Sequence, residues 1–207
     1  MIEEITPPPS EAYTPRTRLR LWRNGTTYGF GLVASTTAVG AAAGTIGAVA
    51  GLSVLSGVSY NHLWVGGIAV LALGYSLHEV AIIRLPTLEI RWQVPAHWRL
   101  YGKPVQLLLY GLVLGAEVFT FIPYTSFYLL LLLEASLGTA GGAGLGLVYG
   151  LARLTPTAAG IISSCRRGDN IPVVTRIMGS SSLFHAVNGL ALVLVACVLM
   201  ASLLTTP

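Results

Sequence analysis

The residue with the clearest chemical potential is Glu117, an acid in the middle of a long apolar stretch. A charged side chain within a membrane is costly and commonly serves a function. At about 100° per residue, one helical face would carry Glu117 together with four other polar side chains. These are Gln106, Tyr110, Tyr124 and Tyr128. Such a face would line a path for a proton or solute, or would hold helices together, and both interpretations stay open.

Arg153 is the basic residue that could pair with Glu117. If a helix runs from about 140 to 163, Arg153 lies inside it, and an antiparallel neighbour would bring the two charges together. Alternatively, Arg153 lies at the cytoplasmic rim and Pro156 ends the membrane span. Glu134 is expected near the outer interface, where an acid needs no special role.

Two histidines, His78 and His185, are candidate ligands of a haem iron because they lie at similar depth on different predicted helices. The chain has no CxxCH sequence, which excludes a covalent c-type haem and leaves non-covalent haem b. The commoner role of histidines at helix ends is a hydrogen bond to the backbone or to lipid headgroups. We expect no metal site and no catalytic residues, since HExxH, GxSxG and a phosphate loop are all absent.

The composition describes the elements that must position these residues. Lys and Arg number 12 and Asp and Glu number 8, so charged residues make up 10% of 207, against about 25% in a soluble domain. Hydrophobic residues make up 54%, and the mean hydropathy is +0.72. Because a soluble domain needs more charged residues than this on its surface, we predict an all-α membrane protein. The net charge of +4 does not indicate nucleic-acid binding, because the basic residues lie beside apolar runs.

The positions of Lys and Arg predict how the chain crosses the membrane. Neither residue occurs in 24–83, 104–152 or 177–207. One helical crossing needs about 20 residues, so the first two stretches hold two crossings each and the third holds one. All basic blocks then face one side, which the positive-inside rule assigns to the cytoplasm. A third crossing in the first stretch would separate the blocks and is the alternative.

The predicted fold is a bundle of five transmembrane helices in the plasma membrane (the inner membrane of a bacterium), with the N-terminus cytoplasmic and the C-terminus external. Residues 1–25 form a disordered proline-rich tail with a basic interfacial segment, and residues 26–207 form the transmembrane domain. Pro123 should kink the third helix. The expected spans are about 28–55, 63–84, 104–136, 140–163 and 183–204.

Two glycine stripes, and a glycine pair of Gly111 and Gly115 in the third span, predict close helix packing. Small residues let helix backbones approach each other in lipid, where there is no hydrophobic force between helices. The sequence leaves open whether the partner helix belongs to this chain, to a second copy or to another membrane protein. Membrane lipids are expected to contact the remaining helix surface. The stripes are Gly40, Gly44, Gly47 and Gly51 in the first span and Gly142, Gly146 and Gly150 in the fourth.

The segment 110–138, YGLVLGAEVFTFIPYTSFYLLLLLEASLG, resembles one helix of the cytochrome c biogenesis protein CcdA and of the DsbD membrane domain. Over roughly 104–204, this resemblance implies a scaffold of inverted three-helix repeats, with the first of six helices missing here. In that family a cysteine follows the proline, whereas Tyr124 follows Pro123 in this chain. Thiol–disulfide exchange needs a thiolate, so the resemblance implies a shared scaffold without that chemistry.

These patterns predict a non-enzymatic membrane component, either a transporter-like bundle or a membrane subunit of a larger complex. In the transport alternative, Glu117 senses a proton or cation, the tyrosines line the path, and Arg153 is the charge partner. In the subunit alternative, the glycine stripes bind neighbouring helices. A haem-binding electron-transfer subunit is the third alternative.

The haem alternative predicts a Soret band in the visible spectrum of the protein purified in mild detergent. A haem iron held by His78 and His185 would absorb there, whereas the apoprotein would not. A spectrum without this band would dismiss the alternative.

Overall fold

The computed structural model describes residues 15–52, 62–85, 95–116, 126–167, 175 and 179–205, and these residues form helices and no strand. The prediction of an all-α protein is therefore confirmed. The helices are α1 Pro15–Val49, α2 His62–Glu79, a short 3-10 helix Ala96–Leu100, α3 Lys103–Ala116, α4 Ser126–Ser136, α5 Gly138–Arg167 and α6 Ser181–Thr205.

Three of these helices are long and apolar enough to cross a membrane. They are Pro15–Val49, Gly138–Cys165 and Ser182–Leu204. Two shorter apolar helices, Lys103–Ala116 and Phe127–Ser136, lie within the predicted third span. The chain thus has helices that could span a membrane, while the number of crossings and their orientation are still predictions. The predicted kink at Pro123 lies outside the described residues.

Helix α1 is continuous over 35 residues, about 52 Å at 1.5 Å per residue. It begins at Pro15, because proline fits the first turn of a helix, where its missing N–H has no partner to lose. The basic segment Arg16–Arg23 belongs to this same helix, so the structure joins the expected interfacial segment to the expected first span. The predicted disordered residues before Pro15 lie outside the described part of the chain.

The end of α1 is closed by Gly51, which has a φ of +70°. The amide of Leu52 donates to the carbonyl oxygen of Gly47 at 2.8 Å, and the amide of Gly51 donates to Ala48 at 3.2 Å. This is the Schellman motif, in which the residue after the helix has a positive φ. Glycine is favoured there because it has no Cβ to clash in that conformation. A Cβ on Gly51 would meet nothing within 4 Å, so Gly51 serves this turn and not the packing stripe to which its spacing assigned it.

The described chain divides into two compact units. Unit 1 contains residues 15–36 of α1, the 3-10 helix, α3 and the part of α5 from 147 onward. Unit 2 contains the rest of α1, helices α2 and α4, the start of α5 and helix α6.

Unit 1 is held together by close approach of helix backbones. A Cβ built at Gly111 of α3 would overlap the carbonyl oxygen of Tyr28 in α1, and one at Gly115 would overlap that of Leu32. Residue numbers rise together on these two helices, so α1 and α3 run parallel. Gly25 and Gly29 of α1 face Ile161 and Leu154 of α5, which makes that pair antiparallel. The buried core of the unit is Leu21, Tyr28, Leu32, Leu107 and Ile161.

In unit 2, α2 packs along α6 and against α4. The hydroxyl of Ser76 donates to the carbonyl oxygen of Gly189 at 2.9 Å, and Gly66 faces Leu203, so α2 and α6 are antiparallel. The indole N–H of Trp64 donates to the hydroxyl of Ser136 at 2.9 Å, which links the start of α2 to the end of α4. The core is Ile68, Ala72, Leu129, Leu192 and Ala196.

The glycine stripes lie where α1 meets α5 and the end of α4. In unit 2, a Cβ at Gly40 would overlap the carbonyl oxygen of Gly142, and one at Gly44 would overlap that of Gly138. A Cβ at Gly47 would overlap the carbonyl oxygen of Ala135 in α4. The remaining stripe residues, Gly146 and Gly150, are buried as well. Side chains larger than hydrogen are excluded at these crossings, which is why their spacing follows a helix face.

The surface of the described chain is rich in large apolar side chains, whereas several polar side chains are buried. On α6, Leu183, Leu190 and Leu194 are each about 60% exposed. The buried polar residues include Thr36, Ser76, Gln106, Glu134 and Ser164. A hydrocarbon solvent favours this arrangement, because polar groups must find partners inside the protein while apolar side chains face lipid.

Replacing Gly142 with leucine should destabilise the protein strongly, because its Cβ would collide with backbone in α1. Overpacking of this kind costs about 1–3 kcal/mol or more. The matched control is Gly144→Leu in the same helix, where an added Cβ meets nothing within 4 Å. Thermal unfolding in one detergent measures both variants. Equal stability of the two variants would contradict this account of the helix crossing.

Candidate polar sites within the helical units

In unit 1, Arg153 joins α5 to α3. Its Nη1 donates to the carbonyl oxygen of Leu114 at 2.7 Å, and its guanidinium carbon lies 5.7 Å from the centre of the Tyr149 ring. A charge-assisted hydrogen bond and a cation–π contact both gain strength away from water. Helix α5 continues through Pro156 to Arg167, so the proline does not end the helix. Whether Arg153 lies inside the membrane span or at its rim is still a prediction.

The tyrosines of the predicted polar path have separate partners. Tyr110 packs against the core of unit 1, and its ring lies 6.1 Å from that of Trp98. Tyr128 belongs to unit 2 and stacks on Tyr75 at 6.2 Å. Glu117 and Tyr124 lie outside the described residues, as does any pairing of Glu117 with Arg153. The polar path is therefore still a prediction.

In unit 2, a buried acid contacts a histidine on the neighbouring helix. Oε2 of Glu79 lies 2.6 Å from Nδ1 of His185; the acid side chain is 2% exposed and the histidine 43%. One turn along the helix, Ser76 bonds the carbonyl oxygen of Gly189, so two polar contacts join the same ends of α2 and α6. A carboxylate buried to this degree needs a donor or a positive partner, and His185 supplies one. The sequence singled out both residues without indicating that they pair.

His78 has a local role at the end of α2. Its Nδ1 accepts a hydrogen bond from the amide of Leu85 at 2.9 Å, which closes a turn that contains Ala81 at a φ of 61°. The Nδ1 atoms of both haem candidates, His78 and His185, thus lie in hydrogen bonds within unit 2. Over the described part of the chain, no group of three or more His, Cys, Asp or Glu side chains could hold a metal ion. Haem binding by these two histidines stays a prediction.

Glu134 is a site that sequence reasoning missed. It is 2% exposed, although it was expected near the outer interface without a role. A Cβ built on Gly40 would lie 3.0 Å from its Oε1, so the acid lies beside the crossing of α1 and α5 in unit 2. The available signal was its position just before the tight connection to α5, next to a glycine stripe.

Together, the fold and these sites define an all-helical protein with helices that could span a membrane and with ionisable side chains bonded between helices. Comparison with curated proteins shows which proteins of this class the chain is similar to. The chain is 30% identical over 138 residues to the methylamine utilization protein MauF of Paracoccus versutus, a match that covers 66% of this chain and 49% of that protein. MauF of Methylophilus methylotrophus is 31% identical over 134 residues, which is 61% of this chain and 47% of the relative.

A third relative, MauF of Methylobacillus flagellatus, is 34% identical over 82 residues, covering 39% of this chain and 29% of the relative. The chain spans about half the length, or less, of the curated relatives it matches. No family model matches the chain, and no solved structure matches it.

These findings correct the resemblance to CcdA and the DsbD membrane domain, which is wrong. The relatives carry the name MauF, and no family model supports a domain of the CcdA and DsbD type. The resemblance rested on a proline followed by an apolar run, and membrane helices in general carry these features because lipid demands apolar residues and tolerates proline. The cysteine that would have made the match specific is absent.

A double-mutant cycle should detect the contact between Glu79 and His185. Glu79→Gln, His185→Ala and the double variant are unfolded in mixed micelles, and their free energies of unfolding are compared. Because the residues touch, we expect a coupling energy of about 0.5–3 kcal/mol. Strictly additive effects would show that the contact contributes nothing to the packing of α2 on α6.

Proposed function

We propose that the chain is a multi-pass protein of a bacterial plasma membrane, with five crossings, a cytoplasmic N-terminus and an external C-terminus. Alternating crossings require α1 to run parallel to α3 and antiparallel to α5, which is what the contacts within unit 1 support. Alternating crossings also require α2 to be antiparallel to α4 and α6. The contacts within unit 2 support both of these directions. Four helix pairs thus agree with a topology derived from the Lys and Arg positions alone.

We further propose that the protein is a membrane component of a methylamine utilization system. Its relatives in three organisms are all named methylamine utilization protein MauF, and this shared name is the observation that carries the proposal. The described helices suit the role, because a chain with an apolar exterior and helices of spanning length works in or at a membrane.

Within such a system, we assign the chain the role of a non-enzymatic subunit. The contacts of the ionisable groups support this role, since they join helices to each other. Arg153 bonds the backbone of α3, and Glu79 bonds His185 across α2 and α6. Groups that are bonded between helices in this way rigidify a fold, whereas a catalytic group must be able to reach a substrate.

Deleting the gene from its host should abolish growth on methylamine as the nitrogen source and leave growth on ammonium unchanged. A plasmid copy of the gene should restore growth, whereas a copy carrying Gly142→Leu should not, because that variant is expected to misfold. Growth on methylamine without the gene would contradict the proposed pathway.

The subunit role is separated from transport by two measurements on the same membranes. In mild detergent, the full chain should purify with a protein partner in fixed stoichiometry, and only from cells grown on methylamine. Uptake of labelled methylammonium by membrane vesicles should be the same with and without the chain. A monodisperse protein without partner, together with uptake that depends on the chain, would replace the subunit role with that of a transporter.

A further inference from the structure

An apolar groove of about 100 Å³ opens between α1 and α5 in unit 1. The hydroxyl of Thr26, at its edge, already donates to the carbonyl oxygen of Arg23 at 2.9 Å. Gly25 forms the floor opposite Ile161, whose Cδ1 occupies the place that a Cβ of residue 25 would need. The lining residues are Trp22, Gly25, Thr26, Leu154, Thr157, Ala158 and Ile161. A groove of this shape and polarity suits a hydrocarbon chain.

One end of this groove is strongly basic. The first turns of α1 carry four exposed arginines: Arg16, Arg18, Arg20 and Arg23. Arg18 precedes Trp22 by four residues and so lies on the face of α1 that lines the groove. Because α5 is antiparallel to α1, its last turn brings the backbone of Arg166 and Arg167 to this same end. Neither helix contains an Asp or Glu residue.

Trp22 marks the level at which the groove meets the membrane surface. It is 46% exposed and lies between the first three of these arginines, Arg16, Arg18 and Arg20, and the apolar part of α1. Tryptophan favours the headgroup layer, since its ring is apolar and its N–H is polar. Arginines on one side of this level therefore reach phosphate oxygens, and the groove on the other side reaches acyl chains.

We propose that the groove between α1 and α5 is a binding site for one anionic phospholipid. An acyl chain lies along Trp22, Gly25 and Ile161, and the lipid phosphate contacts the arginines at the start of α1, with Arg18 nearest the groove. The acyl chain is surrounded by apolar groups both in the groove and in the bilayer, so its transfer into the groove contributes little to selectivity. The groove therefore positions the lipid, and the arginines select its headgroup by charge. The inference rests on the membrane location proposed above.

The test compares two lipids with identical acyl chains, phosphatidylglycerol and phosphatidylcholine. The delipidated full chain is titrated with each lipid in detergent, and native mass spectrometry counts the lipids retained. We expect one tightly held phosphatidylglycerol and at least about tenfold weaker phosphatidylcholine. Both lipids carry a phosphate, but the choline cation cancels its charge in phosphatidylcholine, and each arginine near a lipid of net negative charge contributes about fivefold in affinity.

Two variants test the two parts of the site. Arg18→Gln should lower phosphatidylglycerol affinity about fivefold and phosphatidylcholine affinity less, so that the selectivity for phosphatidylglycerol falls. Arg84→Gln, at an exposed arginine of unit 2, should change neither affinity. Ala158→Phe fills the groove and should abolish selective binding, while Ala152→Phe, on an exposed position of α5 outside the groove, should not. Size-exclusion profiles that match the unchanged protein show that each variant is folded.

Equal affinity for the two lipids, or selectivity that survives Arg18→Gln and Ala158→Phe, would overturn the lipid site. So would a protein chain that is retained in fixed stoichiometry and lost only in Ala158→Phe, because the groove would then hold a polypeptide. Failure of the membrane location is a different result: the chain would then purify without detergent. A protein that needs detergent and shows no lipid selectivity would overturn this inference alone.

Discussion

Close approach of helix backbones at glycine is the constraint on which both units depend. At the crossings of α1 with α3 and α5, a single added Cβ would overlap a carbonyl oxygen of the partner helix. In a hydrocarbon solvent, helices gain little from burying apolar side chains, so dispersion between close backbones and a few polar contacts must hold them together. The glycine spacing therefore determines which faces of α1 and α5 meet, and every side chain on those faces is placed by that contact.

The polar contacts follow from this packing. Backbones that lie close together leave room only for short or well-directed polar groups, as in the bond from Ser76 to the carbonyl oxygen of Gly189. Longer ionisable side chains reach across the remaining gaps, where Arg153 bonds the carbonyl oxygen of Leu114 and Glu79 meets His185. The contact of Glu79 is costly to break, because its carboxylate is 2% exposed and would remain away from water without a partner.

Charge and hydropathy patterns predicted the helical class correctly, whereas the short segment that resembled a known family predicted the wrong family. Charge placement and hydropathy are properties of many residues together, so they predicted helices that could span a membrane, and three of the described helices are long and apolar enough to do so. The resemblance to CcdA and DsbD rested on one proline and an apolar run, features that lipid imposes on unrelated helices, and it was wrong. A short segment identifies a family only when it carries residues that the chemistry of that family requires.

By itself, the sequence determined the all-α class, the apolar exterior and the helix faces that carry glycine, because each is a periodic or compositional property of the local chain. Tertiary structure alone decided the pairing of Glu79 with His185, the burial of Glu134 and the bond from Arg153 to the backbone of α3. It also assigned Gly51 to the end of a helix instead of to a crossing. The reason is physical: depth and partner depend on which helices are neighbours, and helical periodicity specifies a face without specifying what covers it.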